Sequence, residues 1–331
     1  MRTVGSAAHP RHNCGMTTQR LKIVVAINPS ASFGKSSGVG PQVVSALTAL
    51  GHDVVGLSEP TYAQLVAAGR KAVAEKPDAV VVVGGDGMVN LGANLVATTG
   101  IPFGIVPSGT GNDMARALGI PYDNTPVAID MLVEALTRPA MDIDAGLITH
   151  TDSETGLEKK TWFACMVSAG FDAIVNERAN NMRWPKGPRR YILALAIELI
   201  KLRTINYEIE LDGVKSSTAA ALISVGNGVS LGGGMKVTPD AMLDDGLFDV
   251  LVVEPLSRIA FLRIFPRVYR GEHLSDPRVT VRRASRVRIN AENVVAFGDG
   301  ERLGALPIDI ELVSGALSVL APQPAFSLPS L

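Results

Sequence analysis

The sequence contains little of what several protein classes require. Its 331 residues include two cysteines, too few for a disulfide framework and typical of a protein kept in a reducing cytoplasm. The five histidines lack the spacing of zinc ligands. The net charge of −1 argues against a general nucleic-acid-binding protein. No run of about 18 apolar residues is free of charges, so we expect no membrane-spanning helix, and any contact with a membrane would be peripheral.

The chain does have the apolar residues that a large core needs, since 47% of it is hydrophobic. Its length exceeds what one core usually spans, and we therefore expect two domains. From Leu21 to about Ala140, apolar runs alternate with helical patterns, which predicts a parallel α/β domain. After Met141, apolar runs are separated by polar or glycine turns, which predicts a mainly antiparallel β domain.

Individual elements follow from the same patterns. Helices are predicted over 39–50, 62–75, 191–203 and 257–270, and Pro266 should kink or end the last of them. The run 162–167 reads as one strand, and 279–289 alternates as an exposed pair of strands would. Residues 1–20 lack the apolar segment of a secretory signal and are expected to be a disordered extension, in which Met16 is a second candidate start.

Three predicted strands of the first region end in small polar loops that contain glycine. The strand 80–83 runs into Gly84-Gly85-Asp86-Gly87, the strand 22–27 into residues 28–37, and the strand 101–106 into residues 107–113. The carboxyl ends of strands in an open α/β sheet meet at one edge, where ligands bind. Glycines there let backbone N–H groups approach an anion. The pattern predicts a phosphate site, with Asp86 placed to meet Mg²⁺ or a hydroxyl.

Two common nucleotide motifs are absent. Gly34-Lys35-Ser36 invites comparison with a P-loop, but proline occupies position 29, where that motif requires its first glycine. A dinucleotide fingerprint fails because Asn90 and Met114 stand where the third glycine would follow Gly85-Asp-Gly87 and Gly109-Thr-Gly111. Neither a Walker-type nor an NAD site of these kinds is indicated.

Several motifs together resemble the bacterial diacylglycerol kinase and sphingosine kinase-like family of lipid kinases. They are Asn28-Pro29, Gly84–Gly87 with Asn90, Pro107–Asp113, Pro239–Asp249 and Asp299-Gly300-Glu301. The glycine turn alone is shared with NAD kinases and phosphofructokinases, whereas the whole set, over roughly residues 21 to 322, is more specific. The resemblance implies an α/β fold of two domains, an N-terminal α/β nucleotide-binding domain and a C-terminal antiparallel β-sandwich domain, with the active site in the cleft between them.

The domain boundaries expected on this basis leave the ends of the chain outside both domains. The ATP-binding domain should span 21–140 and the lipid-binding sandwich 141–305. Residues 306–322 should form one or more strands that return to the first domain, followed by a tail over 323–331.

The resemblance implies that ATP binds to loops of the first domain. One nucleotide contact is a hydroxyl after the second strand, for which Ser58 is preferred over Thr61. The family usually has threonine at position 88, so with methionine there a hydroxyl contact is lost or supplied by another residue. The implied nucleotide-binding residues are Asn28, Pro29, Ser30, Ala31, Ser32, Ser58, Gly84, Gly85, Asp86, Gly87, Met88, Val89, Asn90 and Thr110.

By the same resemblance, the acidic turn 240–249 holds Mg²⁺ through the carbonyls of Met242 and Leu247 and the carboxylate of Asp245. Such an all-oxygen donor set suits a hard cation. Phosphate transfer to a poorly acidic alcohol also needs a proton acceptor. Glu301 is the predicted base. Asp86 is the competing base and is assigned to the Mg²⁺ and phosphate side, with Asp299 supporting.

The implied acceptor is the primary hydroxyl of a membrane lipid, first of all diacylglycerol, which would give phosphatidic acid. Alternatives are a sphingoid base, a glycolipid or a polyprenol. A soluble NAD kinase ranks lower, because the chain carries the acidic turn and the Asp-Gly-Glu motif of the lipid kinases. An alternative of a different class is a catalytically silent lipid or nucleotide sensor, because methionine at position 88 replaces the threonine that is usual in the family.

A basic stretch, 178–191, places arginine and lysine beside Trp184 and would suit an anionic membrane surface. A solvated loop explains this stretch equally well, and the arginines between 258 and 288 allow the same two interpretations. The expected protein is cytoplasmic and peripheral at the inner face of the membrane. It binds no nucleic acid, and its oligomeric state is open, with a homodimer among the alternatives.

Overall fold

The computed structural model describes residues 19–28, 38–152, 155–182, 184–185 and 188–322. Within these residues, the helices are α1 Val39–Ala49, α2 Tyr62–Ala74, α3 Asp86–Val96, α4 Asp113–Ala117, α5 Thr125–Ala135, α6 Phe171–Asn181, α7 Pro188–Ile200 and α8 Arg258–Ile264, with 3₁₀ segments over Phe265–Arg270 and Glu272–Ser275. The strands are β1 Lys22–Ile27, β2 Asp53–Leu57, β3 Ala79–Gly84, β4 Phe103–Pro107, β5 Met141–Thr151, β6 Glu158–Phe163, β7 Met166–Gly170, β8 Ile205–Leu211, β9 Val214–Ala220, β10 Leu222–Gly226, β11 Ser230–Leu231, β12 Met235–Lys236, β13 Phe248–Val253, β14 Val279–Ala284, β15 Arg286–Asn290, β16 Val295–Gly298, β17 Glu301–Ala305 and β18 Ile308–Leu320.

The first four strands form a parallel sheet in the order β2-β1-β3-β4. Every residue of β3 is buried, as expected for four consecutive valines in a strand covered on both faces. One face packs against α2 and α3, and the other against α1 and α5. The prediction of a parallel α/β domain is confirmed.

The last strand connects this sheet to the rest of the molecule. The end of β18 pairs in parallel with β4 through Val319 and Leu320, while earlier residues of β18 pair antiparallel with β5 and β15. The sheet continues through β15 and β8 to β9. One continuous layer of hydrogen-bonded strands therefore fixes the two halves of the chain to each other.

A second, antiparallel sheet has the order β14-β13-β10-β7-β16-β17. It packs against the far part of the first sheet over a core in which Phe163 and Phe248 stack with ring centroids 5.5 Å apart. Tyr207 is buried in this core and donates its hydroxyl hydrogen to the carbonyl of Ala169 at 3.0 Å. The predicted C-terminal β-sandwich is confirmed.

Two strand predictions are wrong in detail, each because side chains from elsewhere bind the backbone. The run 162–167 is interrupted at residues 164–165, where backbone N–H groups donate to Asp299 and not to a neighbouring strand. The segment 279–289 contains two strands that do not pair with each other. Strand β14 joins one sheet and β15 the other, because Asp212 accepts from the N–H groups of Ser285 and Arg286 where the chain crosses.

The helices of the structure differ from the predicted ones mainly at Pro266, where the last predicted helix ends early, and before residue 188, where the structure contains helix α6. The α-helical part of 257–270 ends at Ile264 and continues as a 3₁₀ turn that contains Pro266, as its missing N–H would cause. Helix α6 occupies part of the predicted basic stretch, and its Arg178 forms an ion pair with the buried Glu198. This arginine therefore belongs to the packing of α6 on α7 and not to a free basic surface.

Candidate active site

Two of the three glycine-bearing loops meet at the carboxyl edge of the first sheet, as predicted, and Asn28, the first residue of the remaining loop, lies beside them. Residues 29–37 of that loop lie outside the described residues. The N–H of Asn28 donates to the carbonyl of Val83 at 3.1 Å, and the N–H of Ser108 donates to the carbonyl of Gly84 at 2.9 Å. The loops touch at Gly85 and Gly109, since a Cβ on Gly109 would lie 2.4 Å from the Cα of Gly85. Only glycine allows the two backbones to approach so closely. Glycine loops of this kind suit an anion, because no Cβ keeps it away from backbone N–H groups.

We expect Gly109→Ala to weaken ATP binding about tenfold and to destabilise the fold by about 1–3 kcal/mol, the usual cost of overpacking. The added methyl group would meet backbone atoms, which cannot rotate away as a flexible side chain can. Gly119→Ala would have open space around its Cβ but a positive φ of 68°, so it controls for strain without loop contact. Nucleotide titration and urea unfolding would measure both effects. Unchanged ATP affinity in Gly109→Ala would contradict the importance of this contact.

Asp86 begins α3 and binds the backbone of the neighbouring loop. Its two carboxylate oxygens accept from the N–H groups of Asn112 and Asp113 at 2.9 and 2.7 Å. Burial, and next the charge of Asp113, raise the pKa of Asp86 above its ordinary value. Each oxygen keeps a further lone pair, and the carboxylate can therefore position the loop and still face a cation or a hydroxyl.

Asp113 connects the two halves of the site and was not among the predicted site residues. It is buried, and its carboxylate accepts from the N–H groups of Gly233 and Gly234 at 2.9–3.1 Å. These glycines lie between β11 and β12, at φ values of 88° and 98°. The only signal in the sequence was that Asp113 directly follows the glycine loop, and nothing there indicated its partner more than a hundred residues away.

Glu301, the predicted base, lies at the start of β17 and reaches the glycine turn of the first domain at Gly87. A Cβ on Gly87 would lie 3.3 Å from its Oε1 atom. Although residue 301 as a whole is exposed, partial burial of its carboxylate raises the pKa of Glu301 above its ordinary value. The carboxylate of Glu301 also affects Tyr62, at the start of α2. Burial first, and then the charge of Glu301, raise the pKa of Tyr62 to about 12. Glu301 therefore brings a carboxylate from the second domain to the glycine turn.

Asp299 lies two residues earlier and points into the protein. Its carboxylate accepts from the N–H groups of Ala164, Cys165 and Met166 at 2.7–2.9 Å, and the residue is 8% exposed. These bonds hold the turn that carries Glu301 against the break between β6 and β7. Asp299 thus binds the backbone behind the turn that carries Glu301.

The remaining predicted nucleotide residues divide into buried and exposed ones. The side chain of Met88 is 3% exposed, and its Cγ would lie 2.3 Å from a Cβ on Gly84. Val89 is also buried, so each of these two could meet a nucleotide only through its backbone. Asn90 is buried and donates to the carbonyl of Trp162 at 3.3 Å. Ser58 and Thr110 are exposed on loops after β2 and β4, and Pro29, Ser30, Ala31 and Ser32 lie outside the described residues.

The predicted metal residues lie together in the acidic turn before β13. One oxygen of Asp245 accepts from the N–H of Leu247 at 3.1 Å, and the other forms an ion pair with Arg283. Met242 is 55% exposed at the start of the turn. In the described part of the chain, no three carboxylate, histidine or cysteine side chains converge on a metal position. A cation here would depend on main-chain carbonyls as well as on Asp245.

The charges around this turn favour a cation. The Oδ2 atom of Asp249 is buried and has no hydrogen-bond partner among the described residues. Burial, and then the charge of Asp240, raise the pKa of Asp249 above its ordinary value. The guanidinium of Arg283 forms ion pairs with two of these acidic side chains, Asp245 and Asp249. An oxygen-only set of the Asp245 carboxylate and two carbonyls would suit Mg²⁺, and such an ion would take the place that Arg283 has beside Asp245 in the structure.

Two family models match this chain, one over its N-terminal part and one over its C-terminal part. The diacylglycerol kinase catalytic domain matches residues 22–144, and the YegS C-terminal NAD kinase beta sandwich-like domain matches residues 165–321. The chain is 37% identical over 317 residues to a diacylglycerol kinase of Mycobacterium tuberculosis (strain ATCC 25618 / H37Rv), covering 95% of this chain and 97% of the relative.

Two further matches extend the comparison. A diacylglycerol kinase of Bacillus subtilis (strain 168) is 29% identical over 260 residues, which cover 77% of this chain and 82% of the relative. A crystal structure of a diacylglycerol kinase from Bacillus anthracis str. Sterne has the same fold, with a TM-score of 0.67 at 22% identity, covering 92% of this chain and 98% of that one. The matched domains, the identity over nearly the whole chain and the shared fold confirm the resemblance drawn from the motifs: the chain belongs to the diacylglycerol kinase family of lipid kinases.

Proposed function

We propose that this kinase transfers the γ-phosphate of ATP to the primary hydroxyl of diacylglycerol, in a reaction that depends on Mg²⁺ and yields phosphatidic acid. The observation that carries the proposal is the position of Glu301, whose Oε1 lies 3.3 Å from the place of a Cβ on Gly87. A carboxylate from one domain thereby stands beside the backbone edge that suits phosphate in the other. Its relatives in Mycobacterium tuberculosis and Bacillus subtilis are diacylglycerol kinases, which supports this acceptor.

The chemistry follows from these positions. The acceptor hydroxyl oxygen attacks the γ-phosphorus, and the bond from that phosphorus to the β–γ bridging oxygen breaks, so that ADP leaves. Glu301 accepts the hydroxyl proton as the new O–P bond forms. Backbone N–H groups of the loops at Gly85 and Gly109 orient the phosphate oxygens. Asp86 keeps these loops together and adds its carboxylate on the phosphate side.

Mg²⁺, when bound, would neutralise the negative charge of the phosphates and help to hold them in position. In our proposal, Asp245 and the carbonyls of Met242 and Leu247 hold one ion in the acidic turn. Asp144 supports that turn, since its Oδ2 accepts from the N–H of Gly246 at 2.8 Å and its own N–H donates to the carbonyl of Leu243 at 2.6 Å. The turn is thus tied to β5 between the two domains.

The location proposed for the enzyme is peripheral, at the inner face of the membrane where its lipid acceptor resides. Among the residues that the structure describes, no helix has the length and apolar character needed to cross a bilayer. The alternative acceptors would use the same site, since any primary alcohol could give its proton to Glu301. The findings do not favour a silent sensor, and the chain retains Asp86, Asp245 and Glu301, some of which a degenerate member of the family would be expected to have lost.

Transfer of labelled γ-phosphate from ATP to mixed micelles tests the proposal. With Mg²⁺ present, micelles that contain diacylglycerol should yield labelled phosphatidic acid, and omission of Mg²⁺ with a chelator should abolish the product. Micelles with sphingosine or with a polyprenol, and NAD in a lipid-free reaction, serve as competing acceptors. Label on one of these instead would replace the proposed substrate, and label on none would contradict the proposed transfer to diacylglycerol.

A further inference from the structure

Helix α8 exposes aliphatic and aromatic side chains on the face that points away from the protein. Phe261 and Ile264 are buried beneath it, as in any helix that packs on a core. On the outer face, Ile259 is 65% exposed and Leu262 is 59% exposed, and Tyr269 follows in the 3₁₀ segment. An outer helix face in water normally carries polar residues, so this one has the composition of a covered surface.

The end of α7 extends the same apolar surface. The guanidinium of Arg258 donates to the carbonyls of Leu199 and Ile200, which fixes the start of α8 against the end of α7. Ile200 is 69% exposed at this junction. We call the outer surface formed by Ile200, α8 and the 3₁₀ segment Phe265–Arg270 the α8 ridge.

A groove beside the ridge is rich in arginine. It encloses about 390 Å³, and the residues that line it include Ile259, Ile264, Arg263, Arg267, Asp276 and Arg278. Arg278 pairs with Asp276 at 2.8 Å, so these two charges cancel. Arg263 and Arg267 are exposed and form no ion pair within the described residues. Asp276 and Glu272 interact electrostatically with Arg267 but are not close enough to form an ion pair with it. The groove thus keeps a net positive charge.

We propose that the α8 ridge docks on an anionic lipid bilayer, an inference that rests on the proposed lipid acceptor. Ile200, Ile259 and Leu262 would enter the boundary between headgroups and acyl chains. Arg263 and Arg267 would bind lipid phosphates, their aliphatic stems lying along the apolar side chains. Exposed aliphatic residues beside arginines that form no ion pair within the described residues complement a negatively charged membrane surface, which attracts basic residues near it.

The ridge is connected to the active site through one hairpin. A Cβ on Gly271, just after the ridge, would lie 2.9 Å from the Cβ of Pro239, and His273 lies 2.9 Å from the carbonyl of Val237. This segment follows β12, and the turn before β12 contains Gly233 and Gly234, which bind Asp113. Docking at the ridge would therefore hold the membrane next to elements that carry the site.

Sedimentation of the full chain with vesicles tests the ridge. Wild-type protein should bind vesicles of phosphatidylcholine with phosphatidylglycerol at least tenfold more tightly than vesicles of phosphatidylcholine alone. Arg263→Glu with Arg267→Glu should lose at least tenfold of the binding to the anionic vesicles. Ile259→Ser with Leu262→Ser should weaken the binding that persists in high salt, because that part depends on apolar contact and not on charge.

The matched control reverses two exposed basic residues elsewhere that form no ion pair within the described residues, Arg70→Glu with Lys160→Glu, and should bind as wild type does. Equal binding by wild type and by Arg263→Glu with Arg267→Glu would overturn the docking proposal, as would an equal loss in the control. Phosphorylation of a short-chain, monomeric diacylglycerol separates this proposal from the proposed function. The variant Arg263→Glu with Arg267→Glu should retain that activity. If wild type phosphorylated no lipid but still needed Arg263 and Arg267 to bind vesicles, only the proposed function would fail.

Discussion

Glu301→Gln should lower kcat by about 100- to 10,000-fold, the range expected for loss of a general base, and leave the Kd for ATP within about twofold. Glutamine keeps the shape of the side chain but cannot take the acceptor's proton. ATP affinity should hold because Glu301 comes from β17 and adds no backbone N–H to the loops around Gly85 and Gly109.

Steady-state kinetics with micellar diacylglycerol and calorimetric titration of ATP would separate the two effects. Glu292→Gln is the matched control, since Glu292 is an exposed glutamate between β15 and β16 of the same domain, and its rate should equal that of wild type. Asp86→Asn should weaken both turnover and ATP binding, because Asp86 holds the loop at Asn112 and Asp113. Near-normal turnover of Glu301→Gln would transfer the role of base to another group.

The same assignment has a consequence for pH. Burial raises the pKa of Glu301, and a general base must be ionised to work. Activity should therefore fall as the pH drops through this raised pKa, at a higher pH than an ordinary glutamate would give. Since Asp86 also has a raised pKa, the profile of kcat/KM against pH should be compared between wild type and Glu301→Gln. At low pH, the residual rate of Glu301→Gln should not show the fall that protonation of Glu301 causes in wild type.

The features that could be predicted from the sequence are those that depend on neighbouring residues. Four valines in a row predict a strand buried on both faces, and β3 is one. Glycines at strand ends predict loops that approach each other, and Gly85 touches Gly109. The position of Glu301 required the family resemblance, because its local sequence indicates only a tight turn between two strands.

The features that were missed depend on distant contacts. The break after Phe163 occurs because a carboxylate 135 residues away binds the backbone there, and no local pattern contains that partner. Asp113 could be seen beside its loop, but its bonds to Gly233 and Gly234 exist only once the hairpin β11–β12 has folded against α4. Local propensity is a weak guide wherever such long-range hydrogen bonds determine the backbone.

Asp299→Asn should reduce the free energy of unfolding by about 3 kcal/mol, since it leaves buried N–H groups without an acceptor. The carboxylate of Asp299 accepts three of them, from Ala164, Cys165 and Met166. An amide has one oxygen and one NH₂ group, and whichever way it turns, its NH₂ faces at least one N–H donor. Backbone strain does not contribute, because Asp299 has a φ of 47°, which asparagine tolerates as well as aspartate does.

Asp212→Asn is a closely matched control for this prediction. Asp212 also has a positive φ, 48°, and also accepts from consecutive backbone N–H groups, those of Ser285 and Arg286, but it is exposed. Water can replace its lost bonds, so its substitution should cost less than about 1 kcal/mol. Urea unfolding of both variants measures the difference. If the two substitutions cost the same, the buried carboxylate would not be what fixes the break between β6 and β7. If only Asp299→Asn is costly, the turn that carries Glu301 depends on the hydrogen bonds of Asp299 behind it. The kcat of Asp299→Asn should then fall together with its free energy of unfolding.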